Sequence, residues 1–167
     1  GFKIFYYHPL DDDSCAIWQD LEALDHLRVI HLKRKNILRT LISRKIAGYH
    51  DVWVDKATDC NDNVCRRKAV SFSPKELRRG FEQTRQWEAS GAQRFAGHSL
   101  ISVYYEDLVH QPEAVFSKIT DFLGVAYVQP KTALKKQNPE RLRDLLVNYG
   151  ELKEAFSGTE WQDFFED

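Results

Sequence analysis

The chain has 167 residues, of which 43% are hydrophobic and 29% are charged, and its formal net charge is −1. These proportions are typical of a globular protein with a buried core. They do not fit a general nucleic-acid binder, which needs a basic field, and no apolar run approaches the ~20 residues that a membrane-spanning helix requires.

The first elements of the chain predict a βαβ unit. Residues 2–7 are mostly aromatic or β-branched, which favours a strand, and Pro9 would end it. Residues 16–24 carry apolar side chains at helical spacing, and residues 27–32 form an apolar run that predicts a buried strand. A strand, a short helix and a second strand in this order are typical of a parallel sheet.

A basic turn follows the second strand. Residues 33–35 read Lys-Arg-Lys, and a helix is predicted over residues 36–46, with Gly48 ending it. Arg34 at the strand end would supply a planar charged fork and Ser43 within the helix a hydroxyl donor, which together suit a phosphate group. The alternative is a solvated basic loop followed by an incidental helical serine.

The middle of the chain is predicted to be irregular over residues 49–68. Cys60 and Cys65 lie in a turn-like part of it, where they could form a small disulfide or stay as thiols. With Cys15 as the third cysteine and no spaced histidine pair, we expect no metal site.

A long helix and a second βα pair follow. Ser73 and Glu76 form a capping box around Pro74, which predicts a helix start, and Gly91 is the predicted end. Residues 99–105 predict a third strand. Residues 112–123 predict a helix that is closed by Gly124 and buries the stripe Val115, Ile119, Phe122 and Leu123. Further helical pieces are predicted over residues 139–149 and 151–156.

Three candidate site residues, His8, Arg34 and Tyr105, lie at the carboxyl ends of predicted strands and are therefore expected at one edge of the sheet. Ligands of open parallel sheets bind beyond the carboxyl ends of the strands. There His8 could act as a general base, and Tyr105 could pack on a nucleotide base. Taken singly, each residue also has an ordinary interpretation: a surface histidine in a turn and an aromatic residue that ends a strand.

Taken together, these segments resemble the PAPS-dependent sulfotransferases, which use 3′-phosphoadenosine-5′-phosphosulfate (PAPS) as donor. Residues 29–34 continuing to Ser43 are similar to the family's 3′-phosphate motif, with the spacing of its bacterial branch. Residues 105–108, Pro112 and residues 119–124 resemble the adenine-contact strand and the helix after it. The segment around His8 is similar to the place of the family's catalytic histidine.

The resemblance implies a fold, a co-substrate and a site. The fold would be a P-loop-like α/β domain over residues 1–167, with a parallel sheet and helices on both faces. Arg34 and Ser43 would bind the 3′-phosphate of PAPS, Tyr105 would contact adenine, and His8 would deprotonate the hydroxyl of a carbohydrate, lipid or small metabolite. No metal or nucleic acid would take part, a homodimer is left open, and the expected location is the cytoplasm.

One part of the family pattern is not found. The first strand and the Gly/Ser/Thr-rich loop that holds the 5′-phosphosulfate have no match, so we expect an N-terminally incomplete fold that corresponds to the C-terminal portion of the whole. A non-catalytic module that binds a nucleotide or a protein partner is therefore the second hypothesis. A kinase is disfavoured because no Walker-type Gly-Lys-Ser/Thr occurs in the sequence.

Overall fold

The computed structural model describes residues 1–7, 16–50, 69–131 and 138–167. In chain order its elements are α1 (Ala16–Glu22), β1 (Arg28–Lys33), α2 (Ile37–His50), α3 (Pro74–Arg94), β2 (Ser99–Tyr104), α4 (Tyr105–His110), α5 (Pro112–Leu123), α6 (Leu142–Leu145), α7 (Tyr149–Ala155) and a 3₁₀ helix (Gln162–Phe165). Among these described elements, none is a helix long and apolar enough to cross a membrane.

The chain divides into two compact units. The strand unit comprises Gly1–Lys35 and Thr84–Pro130, and the helical unit comprises Asn36–Gln83 and Lys131–Asp167. The described residues thus form a mixed α/β structure, in agreement with the predicted class. The P-loop-like sulfotransferase fold and the single domain over residues 1–167 stay predictions.

The parallel pairing of two strands is confirmed in the strand unit. β1 and β2 pair in parallel, with Arg28 opposite Ser99 and Lys33 opposite Tyr104. Because the register is level, both strands end together, and the chain leaves both at the same edge of the sheet. This edge carries the basic turn after β1 and the first turn of α4 after β2.

The predicted strand over residues 2–7 is wrong, since this segment has no regular structure in its described residues. Strand conformation is stabilised by a neighbouring strand, and the side chains here contact one another and α3 instead. The Phe5 ring stacks on Tyr7 at 5.3 Å between centroids, and Tyr6 stacks on Trp87 of α3 at 6.3 Å.

The long helix α3 begins as predicted and ends later. The amide of Glu76 donates to Oγ of Ser73 at 3.2 Å, and the amide of Ser73 donates to Oε2 of Glu76 at 2.7 Å, so the capping box is confirmed. Gly91 does not end the helix, which continues to Arg94. A Cβ at Gly91 would lie 3.1 Å from Cε1 of Tyr6, so glycine permits close packing there.

The helix α2 also passes its predicted stop, because it continues through Gly48 to His50. One glycine costs a helix about 1 kcal/mol, which burial of the neighbouring Ile46 and Ala47 can offset. At its start, the amide of Arg39 donates to Oδ1 of Asn36 at 3.3 Å, so Asn36 caps the helix.

The helix α5 has the predicted bounds, and Gly124 ends it in the left-handed region at φ 67°. The prediction that its apolar stripe is buried is wrong, since α5 has no buried residue and Leu123 is 36% exposed. The apolar spacing identified the helix correctly, but periodicity alone does not establish what covers a face.

The helical unit contains a dense core of aliphatic and aromatic side chains. Phe81 lies 5.2 Å from both Trp161 and Phe164 between ring centroids, and Phe156 stacks on Phe165 at 5.4 Å. The first C-terminal helical piece is shorter than predicted, because α6 covers only Leu142–Leu145, whereas the second lies close to its predicted place as α7. A bridge between Val70 and Leu146 interrupts the helical backbone after it.

Candidate functional site

The structure brings together two of the predicted site residues, Arg34 and Tyr105. Arg34 directly follows β1 and Tyr105 directly follows β2, so the level register places them side by side at one sheet edge. The Cζ atom of Arg34 lies 3.9 Å from the centroid of the Tyr105 ring. This is a close cation–π contact between the guanidinium and the ring.

Glu106 is a third member of this cluster, although it was not among the site residues predicted from the sequence. Its Oε2 accepts a hydrogen bond from the backbone amide of Lys35 at 2.9 Å, and its Oε1 lies 3.8 Å from Nε of Arg34. One carboxylate therefore connects the basic turn to the first turn of α4. Glu106 could have been predicted from the sequence, because an acidic residue next to Tyr105 lies beside the basic turn when the two strands pair in parallel and end together.

Lys35 and Asp107 form a neighbouring ion pair through Nζ and Oδ1. The hydrogen bond from Asp107 raises the pKa of Lys35, with smaller contributions from the charges of Asp107 and Glu106. Both cations that follow β1 thus have carboxylate neighbours on α4. Arg34 is the more sheltered of the two, with 28% of its side chain exposed against 54% for Lys35.

The other two predicted site residues are Ser43 and His8. Ser43 lies on α2 in the helical unit, where it is half-buried. His8 lies outside the described residues, as do Cys15, Cys60 and Cys65. The assigned roles of all four site residues stay predictions.

A second polar cluster surrounds His31 in β1, a residue that the sequence pattern predicts only as part of a strand. His31 is buried, and its Nε2 shares a hydrogen bond with the hydroxyl of Tyr6. Burial, together with the charge of Lys33, lowers the pKa of His31 to about 4. Burial and the charge of Glu88 raise the pKa of Tyr6. At neutral pH, His31 is therefore an uncharged imidazole.

The rest of the described chain offers no obvious metal centre. In the four described ranges, no group of three or more His, Cys, Asp or Glu side chains lies close enough to hold a metal ion.

The chain is similar to nodulation protein H of Rhizobium tropici, with 28% identity over 166 residues. The similarity covers 97% of this chain and 61% of that protein, so the chain spans about three fifths of the length of this curated relative. No protein-family model matches the chain. No solved structure matches it.

Proposed function

We propose that this chain is part of a PAPS-dependent sulfotransferase that moves a sulfuryl group from PAPS to a hydroxyl acceptor. The observation that carries the proposal is the contact of Arg34 with Tyr105 at the common end of two parallel strands. A planar guanidinium suits a phosphate, and an aromatic ring beside it suits a nucleotide base. The similarity to nodulation protein H supports a sulfotransferase family.

The chemistry would depend on positioned charge. The acceptor oxygen attacks sulfur, the bond between sulfur and the 5′-phosphate oxygen breaks, and adenosine 3′,5′-bisphosphate leaves. His8 would take the proton of the acceptor hydroxyl. Arg34, with Ser43 as the resemblance assigns it, would hold the nucleotide through its 3′-phosphate, so that binding energy remote from sulfur orients the reacting groups.

The acceptor is proposed only as a class, namely a hydroxyl on a carbohydrate, a lipid or a small metabolite. The second candidate is a non-catalytic module that binds the nucleotide without transferring sulfate. It is kept because the family's Gly/Ser/Thr-rich loop for the 5′-phosphosulfate has no match in the sequence.

Calorimetric titration with adenosine 3′,5′-bisphosphate tests the nucleotide site. We expect binding by the wild-type chain and a loss of roughly 10- to 100-fold in Arg34→Ala, because charge-assisted hydrogen bonds are worth about 1.5–3 kcal/mol. Arg79→Ala is the matched control, since Arg79 is exposed on α3. A folded wild-type chain that does not bind the bisphosphate, or an Arg34→Ala variant that binds as tightly, would contradict the proposal.

Transfer of labelled sulfate from PAPS to a panel of hydroxyl acceptors then separates the two candidates. Label in an acceptor product that is lost in His8→Ala supports the enzyme and the role of His8. Nucleotide binding with no transfer to any acceptor class favours the non-catalytic module.

A further inference from the structure

Glu106 makes two contacts with the basic turn, one to its backbone and one to a side chain. Its Oε2 holds the amide of Lys35, and its Oε1 faces Nε of Arg34. Both oxygen atoms of the Glu106 carboxylate are thus directed at the turn that contains Arg34. The neighbouring Asp107 contacts the Lys35 side chain instead.

These contacts restrain Arg34 in two independent ways. The hydrogen bond from the Lys35 amide to Glu106 holds the backbone of the turn against α4, and the carboxylate with the Tyr105 ring holds the guanidinium itself. An arginine side chain has many rotamers, and losing them on binding a ligand weakens affinity. A side chain that is already restrained loses less freedom when it binds a phosphate.

The ion pair of Glu106 is less exposed to solvent than the neighbouring ion pair of Asp107. The side chains of Arg34 and Glu106 are 28% and 24% exposed, whereas those of Lys35 and Asp107 are 54% and 43% exposed. Water screens the second pair more strongly, so it has less influence on the geometry of the turn.

We propose that Glu106 is a positioning residue that orients Arg34 toward the 3′-phosphate of the nucleotide. This inference rests on the proposed function. The carboxylate also places a negative charge near a bound anion. Because the Lys35 amide fixes Glu106 in place, we infer that its orienting effect on Arg34 exceeds its repulsion of the phosphate.

Relaxation of the Arg34 side chain tests the positioning without any nucleotide. The Nε–H resonance of Arg34, assigned by its loss in Arg34→Lys, should show a high heteronuclear NOE in the wild-type chain. The NOE should fall in Glu106→Ala and recover in part in Glu106→Gln, whose amide oxygen can still accept the hydrogen bond from the Lys35 amide but carries no charge to face Nε of Arg34. An NOE that is unchanged in Glu106→Ala would overturn the inference, whether or not the chain binds a nucleotide.

Titration with two nucleotides tests the consequence for the site. In Glu106→Ala, affinity for adenosine 3′,5′-bisphosphate should fall about 5- to 20-fold, while affinity for adenosine 5′-phosphate changes less than about twofold. Glu106→Gln should retain the bisphosphate affinity within about threefold, and the matched control Asp107→Ala within about twofold. In an Arg34→Ala background, Glu106→Ala should have no further effect, because its effect acts through Arg34.

Two results would overturn the inference while leaving the proposed function in place. One is bisphosphate binding by Glu106→Ala that is as tight as wild type or tighter, which would make Glu106 a competitor of the phosphate. The other is an equal loss for both nucleotides, which would indicate a general structural role. Failure of the wild-type chain to bind either nucleotide would instead refute the proposed function.

Discussion

The two units of this protein differ in how their side chains are used. Among the residues that the structure describes, the fully buried large side chains all belong to the helical unit, with Phe81, Phe156 and Phe165 the largest of them. The strand unit carries most of the exposed large hydrophobic side chains, among them Leu32 at 50% and Val128 at 73% exposure. The Arg34–Tyr105–Glu106 cluster, which is held by polar and aromatic contacts, also belongs to the strand unit.

This difference indicates that the two units contribute differently to folding stability and to ligand binding. Close-packed apolar cores supply most of the free energy of folding, whereas exposed ion pairs contribute little to it. Substitutions in the helical unit should therefore change the stability of the fold. Substitutions in the Arg34 cluster should change ligand affinity and leave stability nearly unaltered. The following predictions test this contrast.

The largest effect is expected for Phe81→Ala in the helical unit. Phe81 is fully buried among Phe156, Trp161 and Phe164, so the variant should lose about 3–5 kcal/mol of unfolding free energy through lost burial and a cavity. Urea denaturation followed by circular dichroism measures this loss. Val147→Ala, at a position that is 72% exposed, is the control. Equal urea midpoints for Phe81→Ala and Val147→Ala would contradict the proposal that the core of the helical unit supplies the stability.

His31 should give the strand unit a pH-dependent contribution to stability. Its pKa in the folded chain is about 4, below the ordinary value of 6.5, so protonation favours the unfolded state. The contribution is fully present above pH 6.5 and is lost as the pH falls toward 4, by up to about 3 kcal/mol.

The measurement is the unfolding free energy of wild type and His31→Gln at pH values from 7 to 4. The difference between the two proteins should shrink as the pH falls, because only wild type has the buried imidazole. His110→Gln, at an exposed position, is the control and should follow wild type. Parallel curves for wild type and His31→Gln would show that His31 is not held neutral.

The smallest effect is expected for Tyr105→Leu, which removes the ring beside Arg34. A cation–π contact at a partly exposed site is worth about 0.5–1 kcal/mol, so affinity for adenosine 3′,5′-bisphosphate should fall about 2- to 5-fold. Affinity for adenosine 5′-phosphate should also fall, because Tyr105 is proposed to contact adenine. Tyr105→Phe keeps the ring and should match wild type in titration calorimetry. If Tyr105→Leu lost more free energy of unfolding than free energy of nucleotide binding, the contrast between the two units would be wrong.

Local sequence patterns predicted most element positions well. The capping box at Ser73 and Glu76 located the start of α3, and the spacing before Gly124 located α5. These signals succeed because a helix start or end is determined by residues a few positions apart. The predicted stops at Gly48 and Gly91 were wrong because a single glycine costs a helix little when its surroundings are packed.

The predicted strand over residues 2–7 was wrong for a different reason. β-propensity describes a side chain's fit to a sheet, and a strand also requires a partner. The aromatic side chains of this segment pack on one another and on Trp87 instead. No local pattern in the segment distinguishes these two outcomes.

The sequence by itself determined that Arg34 and Tyr105 each follow a strand of one parallel sheet, because hydrophobic runs and turn residues are local signals. The tertiary structure alone decided that Glu106 contacts the basic turn and that His31 is buried beside Tyr6. Both contacts join residues far apart in the chain, and their geometry depends on the strand register and on the packing of α3. Neither of these follows from the identity of neighbouring residues.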